Sequence, residues 1–109
     1  MPHIRLKCIS EKNVKSLSKT LPKELARAMD TSEDNFSFEL VPNTFYTNGK
    51  STKSYPFIEV HWFERSQDIK VKSTKIITDQ IKALTKAKDI VVVYIPIEKS
   101  DYFENEKNF

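Results

Sequence analysis

The residue best placed to do chemistry in this sequence is Pro2. It follows Met1, and removal of that methionine leaves Pro2 as a free secondary amine, a group able to act as base or nucleophile. It opens a stretch in which Ile4, Leu6 and Cys8 alternate with His3, Arg5 and Lys7. Such alternation marks a half-buried strand and places the amine at a strand's beginning. Other reactive groups are sparse. Cys8 is the only cysteine, so no internal disulfide and no cysteine-based metal site can form, and its apolar neighbours predict a buried structural thiol. His3 and His61 fall on one sheet face without a clear third ligand, so neither metal nor cofactor is expected. Arg5 and Glu59 on that face read as a structural ion pair.

Composition bounds what such a base could serve. The 109 residues, 39% hydrophobic and 30% charged, fit one soluble domain, 1–109, with a single core. There is no apolar run of roughly 20 residues and no basic region leading into one, which predicts a cytoplasmic protein without a membrane segment. One glycine, Gly49, leaves no glycine-rich phosphate loop. The net charge of +3 is mild. Phe36, Phe38 and Tyr46 with Lys50 and Lys53 form no concentrated basic groove, which argues against nucleic acid.

The elements that must position Pro2 follow in order. A helix is expected from Ser10 or Glu11, with Val14, Leu17, Leu21, Leu25 and Ala28 on one face. Pro22 predicts a kink there, or a helix best formed from Pro22 onward. A strand with Phe36, Phe38 and Leu40 on one side closes at Pro42. Asn48-Gly49 between Thr44–Thr47 and Lys50–Lys53 predicts a projecting hairpin. Tyr55–Glu64 reads as a strand, and Gln67–Lys86 as a helix with Ser73, Ile77, Ile81 and Leu84 inward. Asp89–Ile97, apolar almost throughout, is expected to be buried on both faces, and the tail from Glu98 is polar with scattered aromatics.

The order repeats. Pro2-His-Ile-Arg-Leu6 parallels Pro56-Phe-Ile-Glu-Val60 at a spacing of 54, and Val41-Pro42 parallels Ile95-Pro96 at the same spacing. The helical positions 17, 21, 25 and 28 map onto 73, 77, 81 and 84 at a spacing of 56. Segments 2–42 and 56–96 are therefore two βαβ units, each with parallel strands and a right-handed crossover. Side by side they predict an α+β two-layer fold: a four-stranded mixed sheet with both helices on one face. Ile4, Leu6, Cys8, Ile58, Val60 and Trp62 would pack beneath the helices. The opposite face, with His3, Arg5, Lys7, Phe57, Glu59, His61 and Phe63, suits an oligomer interface or a wet channel.

Two βαβ halves, each headed by a proline and the first directly after Met1, resemble the tautomerase superfamily. Its long-chain members are typified by macrophage migration inhibitory factor and its half-length members by oxalocrotonate tautomerase. Pro-His-Ile-Arg, Tyr55-Pro-Phe-Ile-Glu-Val60 and Trp62-Phe63 look like a bacterial branch with no assigned function. The resemblance implies a homotrimer with active sites between subunits, the N-terminal proline as general base, and a small keto or enol acid as substrate. It also implies Arg65 as the pocket cation at the end of the third strand and Lys12 where oxalocrotonate tautomerase has an arginine. Thr31 and Val92 depart from the migration inhibitory factor pattern, as does Tyr94; Tyr94 and Phe109 would line the pocket from a neighbour. Three readings follow: a trimeric tautomerase, a catalytically silent trimeric binding or structural module, and a ferredoxin-like βαββαβ module that binds nucleic acid or a protein partner as monomer or dimer.

Overall fold

The computed structural model describes Met1–Phe109. Helix α1, Glu11–Met29, starts where the Ser10 hydroxyl accepts a hydrogen bond from the Asn13 amide at 3.2 Å, and stops at Asp30, whose φ of 51° is left-handed. Helix α2, Gln67–Leu84, starts the same way, Ser66 accepting from the Ile69 amide at 3.3 Å. Val14, Leu17, Leu21, Leu25 and Met29 make the buried stripe of α1; Ser73, Ile77 and Ile81 make that of α2. The helix α1 runs unbroken through Pro22, so the restart expected there does not occur; its packed apolar stripe outweighs the lost bond to the Ser18 carbonyl.

Strands β1 (His3–Lys7), β2 (Ser37–Val41), β5 (Phe57–Trp62) and β6 (Val91–Pro96) form one sheet in the order β2-β1-β5-β6. The outer pairings are parallel and the central β1–β5 pairing is antiparallel, with Arg5 opposite Glu59. Ile4, Leu6, Ile58, Val60 and Trp62 join the two helical stripes in one buried cluster, so both helices cover the same face. This is the expected two-layer α+β fold. The repeat extends to individual bonds: the Ser37 amide donates to the Pro2 carbonyl at 3.2 Å and the Val91 amide to the Pro56 carbonyl at 3.0 Å.

Several expectations need correction. Cys8 is not in the core: β1 ends at Lys7, and Cys8 turns out with a φ of 64°, half-buried, its thiol donating to Asn43 Oδ1 at 3.2 Å. Strand β6 is an edge strand, half-buried from Val91 to Ile95 and exposed at Pro96, because only β5 flanks it. Leu84, at the end of its helix, is exposed. The hairpin β3 (Phe45–Thr47) and β4 (Lys50–Thr52) turns at Asn48-Gly49 as expected, with φ of 51° and 77°. The tail, however, forms a second hairpin, β7 (Phe103–Glu104) and β8 (Lys107–Asn108), whose Asn105 and Glu106 have φ of 51° and 70°. Each half of the chain thus ends in a hairpin with two left-handed residues at its turn.

Pro22 offers a stability test. An interior helix proline costs about 3 kcal/mol, and its rigidity in the unfolded chain returns up to about 1 kcal/mol. Pro22→Ala should therefore stabilise the fold by about 2 kcal/mol in denaturant unfolding. A loss of stability would mean that the proline ring itself packs better than the restored hydrogen bond.

Candidate active site

Antiparallel pairing of β1 with β5 sets the start of β1 beside the end of β5. Pro2 there is fully buried, and Met1 before it is partly covered. The Met1 ammonium is held below its ordinary value, first by burial and then by the Arg65 guanidinium, while the Glu104 carboxylate acts in the opposite direction. Arg65 lies just beyond β5. Its Nε donates to the Met29 carbonyl at 3.2 Å and its Nη1 to the Phe63 carbonyl at 2.9 Å. The first bond puts a cation at the negative end of α1. The guanidinium carbon sits 5.1 Å from the centre of the Trp62 ring, a cation–π distance. Arg65 has no carboxylate within ion-pairing distance, and burial draws its pKa below the ordinary guanidinium value. It is a fixed cation with donor capacity left for an anion.

Of the residues predicted for the site, the structure brings Pro2, Arg65 and the tail with Phe109 to this end. Phe109 packs 5.2 Å from Phe63 and 5.3 Å from Tyr102, and Phe63 lies 5.3 Å from Tyr102. Phe63 therefore carries the tail on its ring and Arg65 on its carbonyl. Glu104, Phe63 and Tyr102 were missed in the sequence; aromatics at the end of a strand and in a polar tail were the available signal. Tyr94 lies on the helix side of β6, its ring 4.7 Å from Trp62. Its hydroxyl donates to the Lys70 carbonyl at 3.2 Å and meets the Thr74 hydroxyl at 2.9 Å, and burial raises its pKa. Lys12 is exposed on the first turn of α1, which follows the other end of β1, and does not meet Pro2 within one chain.

The sheet face away from the helices carries a connected charge network. Lys7 Nζ lies 2.9 Å from Glu59 Oε2, and Arg5 Nη1 and His61 Nε2 lie 3.4 Å and 2.9 Å from Glu59 Oε1. Arg5 Nε and His3 Nε2 reach Glu39 at 3.1 Å and 2.7 Å, and His3 Nδ1 meets the Ser37 hydroxyl at 2.7 Å. The expected Arg5–Glu59 pair is one link of this larger array. Glu59 is only 8% exposed, and hydrogen bonds from Lys7 and then His61 hold its pKa down at about 2. Phe57, Val91, Val93 and Ile95 occupy the same face by register and flank the network with apolar surface.

Residues 1–108 match the family described as Domain of unknown function (DUF1904). The chain belongs to that family. A solved DUF1904 domain from Sebaldella termitidis ATCC 33386 is 31% identical over all of both chains, with a TM-score of 0.93. A protein of unknown function from Vibrio cholerae O1 biovar eltor str. N16961 is 34% identical over 99% of this chain and 87% of that one, with a TM-score of 0.88. A fused 4-OT, solved as a wild-type asymmetric trimer, shares 17% identity over 98% and 95% of the two chains at a TM-score of 0.82. That likeness shows that the two chains share a fold, the tautomerase-like one expected from the sequence. No curated protein matches the sequence.

The Glu59 network predicts a pH dependence. Its lowered folded-state value makes its contribution complete above the ordinary carboxylate value of 4.5, and lost as pH falls from there toward about 2. Glu59→Gln should lower stability at pH 7 by about 1–2 kcal/mol, roughly 5–10 °C in Tm. The gap between variant and parent should shrink as pH is lowered from 4.5. A gap that stays constant down to pH 3 would contradict the ionised network as its source.

Proposed function

We propose that this DUF1904 protein is a cytoplasmic homotrimeric tautomerase of a small keto or enol acid, with Pro2 as base and Arg65 as anion partner. The observation that carries the reading is an unpaired, backbone-anchored guanidinium just beyond β5, at the end of the sheet where β1 and the chain begin. Removal of Met1 would make the Pro2 nitrogen the chain's terminal amine. Burial of Pro2 and a cation at the same end of the sheet would both disfavour its protonated form, as a general base requires.

Chemically, the neutral Pro2 nitrogen takes the proton from the carbon beside the substrate's carbonyl. The C–H electron pair becomes the new C=C bond, and the carbonyl pair moves to oxygen as an enolate. Arg65 stabilises that developing negative charge or the substrate carboxylate. Protonation of the oxygen completes the enol; the reverse order of transfers gives the ketone. No oxidant or reductant is needed. In a trimer assembled through the open sheet face, a neighbour would contribute Lys12 to a pocket that Phe109 of the same chain borders, with the 4-OT-like trimer as the supporting precedent. The apolar flank around the Glu59 network supports this assembly.

One observation favours the second reading, a silent binding or structural trimer: the Pro2 ring is fully buried in the single chain. The two readings separate experimentally. Intact mass should show a chain beginning at Pro2, and solution mass should be about three times 12.7 kDa. Ketonisation of simple enol acids should fall about 100-fold or more in Pro2→Ala, the usual range for a lost general base, and Arg65→Ala should mainly raise KM. Retained Met1, or equal rates for parent and Pro2→Ala, would sink the enzymatic reading.

A further inference from the structure

The repeat gives the sheet a second end built on the plan of the first. Pro56 opens β5 as Pro2 opens β1, is buried as Pro2 is, and accepts the equivalent backbone bond from Val91. A hairpin docks beside each proline. Here Phe45 of β3 packs edge-on against Tyr55 at 5.2 Å, and Tyr55 lies 6.4 Å from Phe57. The two ends differ in what lies above the proline. The Pro2 end holds one anchored arginine and the packed C-terminal tail. The Pro56 end holds an open cleft of about 650 Å³.

That cleft is basic. Lys53 before β5 and Lys86 and Lys88 after α2 line it, together with Tyr55 and Thr85, and Asp89 is the only acid among its walls. None of the three lysines is in an ion pair. Three unpaired cations from two separate segments converge on one concavity against a single carboxylate. Electrostatic focusing in such a concavity raises the local concentration of anions. Pro56 is locked within the chain whether or not Met1 is removed, and its amide nitrogen has no basic lone pair. The second end can therefore hold an anion but has no counterpart of the base.

We propose that the Pro56 cleft is a non-catalytic binding site for a small organic anion bearing two or three carboxylate or phosphate groups. It stands independently of the tautomerase reading, since it uses neither Pro2 nor Arg65. Cys8 provides the readout: it is the only cysteine, it is half-buried and its residue lines the cleft.

The test measures the rate of Cys8 alkylation by iodoacetamide in the full-length protein, titrated with citrate or inorganic phosphate, with amide NMR shifts followed in parallel. Chloride at matched ionic strength is the control. Saturable protection by citrate or phosphate is expected, with shifts centred on Tyr55, Thr85 and Cys8. Apparent Kd should rise about tenfold in Lys53→Ala/Lys86→Ala/Lys88→Ala, consistent with several exposed ion pairs of modest strength, and should not change in Arg65→Ala. Three results would each overturn the site: no saturation, equal protection by chloride, or binding that is lost in Arg65→Ala and kept in the triple variant. Citrate binding without phosphate binding would identify the carboxylate class, and the converse the phosphate class.

Discussion

The central constraint on this molecule is the antiparallel pairing of β1 with β5. Its register sets Arg5 against Glu59 and His3 against His61 in the middle of the sheet, and it fixes what meets at each end. At one end the start of the chain comes beside Phe63 and Arg65. At the other, Pro56 comes beside Cys8 and the exit of α2. The parallel outer strands then follow from the crossover helices, whose stripes bury the Ile4, Leu6, Ile58, Val60 and Trp62 side of the sheet. A slip of one residue in the central pairing would turn every one of these side chains to the wrong face.

The same pairing sets two kinds of burial against each other. The helix face is an apolar core, although Trp62 Nε1 and Ser73 Oγ lie within it without protein hydrogen-bond partners. Ser73 stands where the first repeat has Leu17, so a polar group has entered an apolar stripe; nothing in the structure explains that substitution. The other face is charged, and Glu59 stays ionised there only because Lys7, Arg5 and His61 surround it. An open face that is both ionic and apolar at its margin is suited to a neighbouring copy that leaves the ion pairs intact.

Much of this was legible in the sequence because the repeat is in exact step where the strands are. The spacing of 54 recovers both prolines, both parallel pairings and the Arg5–Glu59 contact. What failed has local causes. Alternation marks a strand's face but not its end, so Cys8 was counted inward although its backbone turns at φ 64°. A run of valines looks the same on an edge as in a sheet's centre, which hid the half-exposure of β6. Asn48-Gly49 announces its turn, whereas Asn105-Glu106 adopts left-handed backbone with a non-glycine residue and gave no such signal. For the candidate site, the positions of Pro2 and Arg65 could be read from strand ends. The aromatic clamp of Phe63, Tyr102 and Phe109 could not, because no periodic pattern links a strand's end to a distant tail.

The central claim is the proposed one: that the Pro2 nitrogen, once freed by removal of Met1, serves as a base whose protonated form is disfavoured by burial and by Arg65. Its most direct measurement is an NMR titration of the Pro2 nitrogen in selectively ¹⁵N-proline-labelled protein, alongside Arg65→Ala. The account predicts a pKa below the α-amino range of about 7.7–8.0, rising when the guanidinium is removed. A Pro2 nitrogen that does not titrate, or one that titrates at or above that range and ignores Arg65, would contradict it.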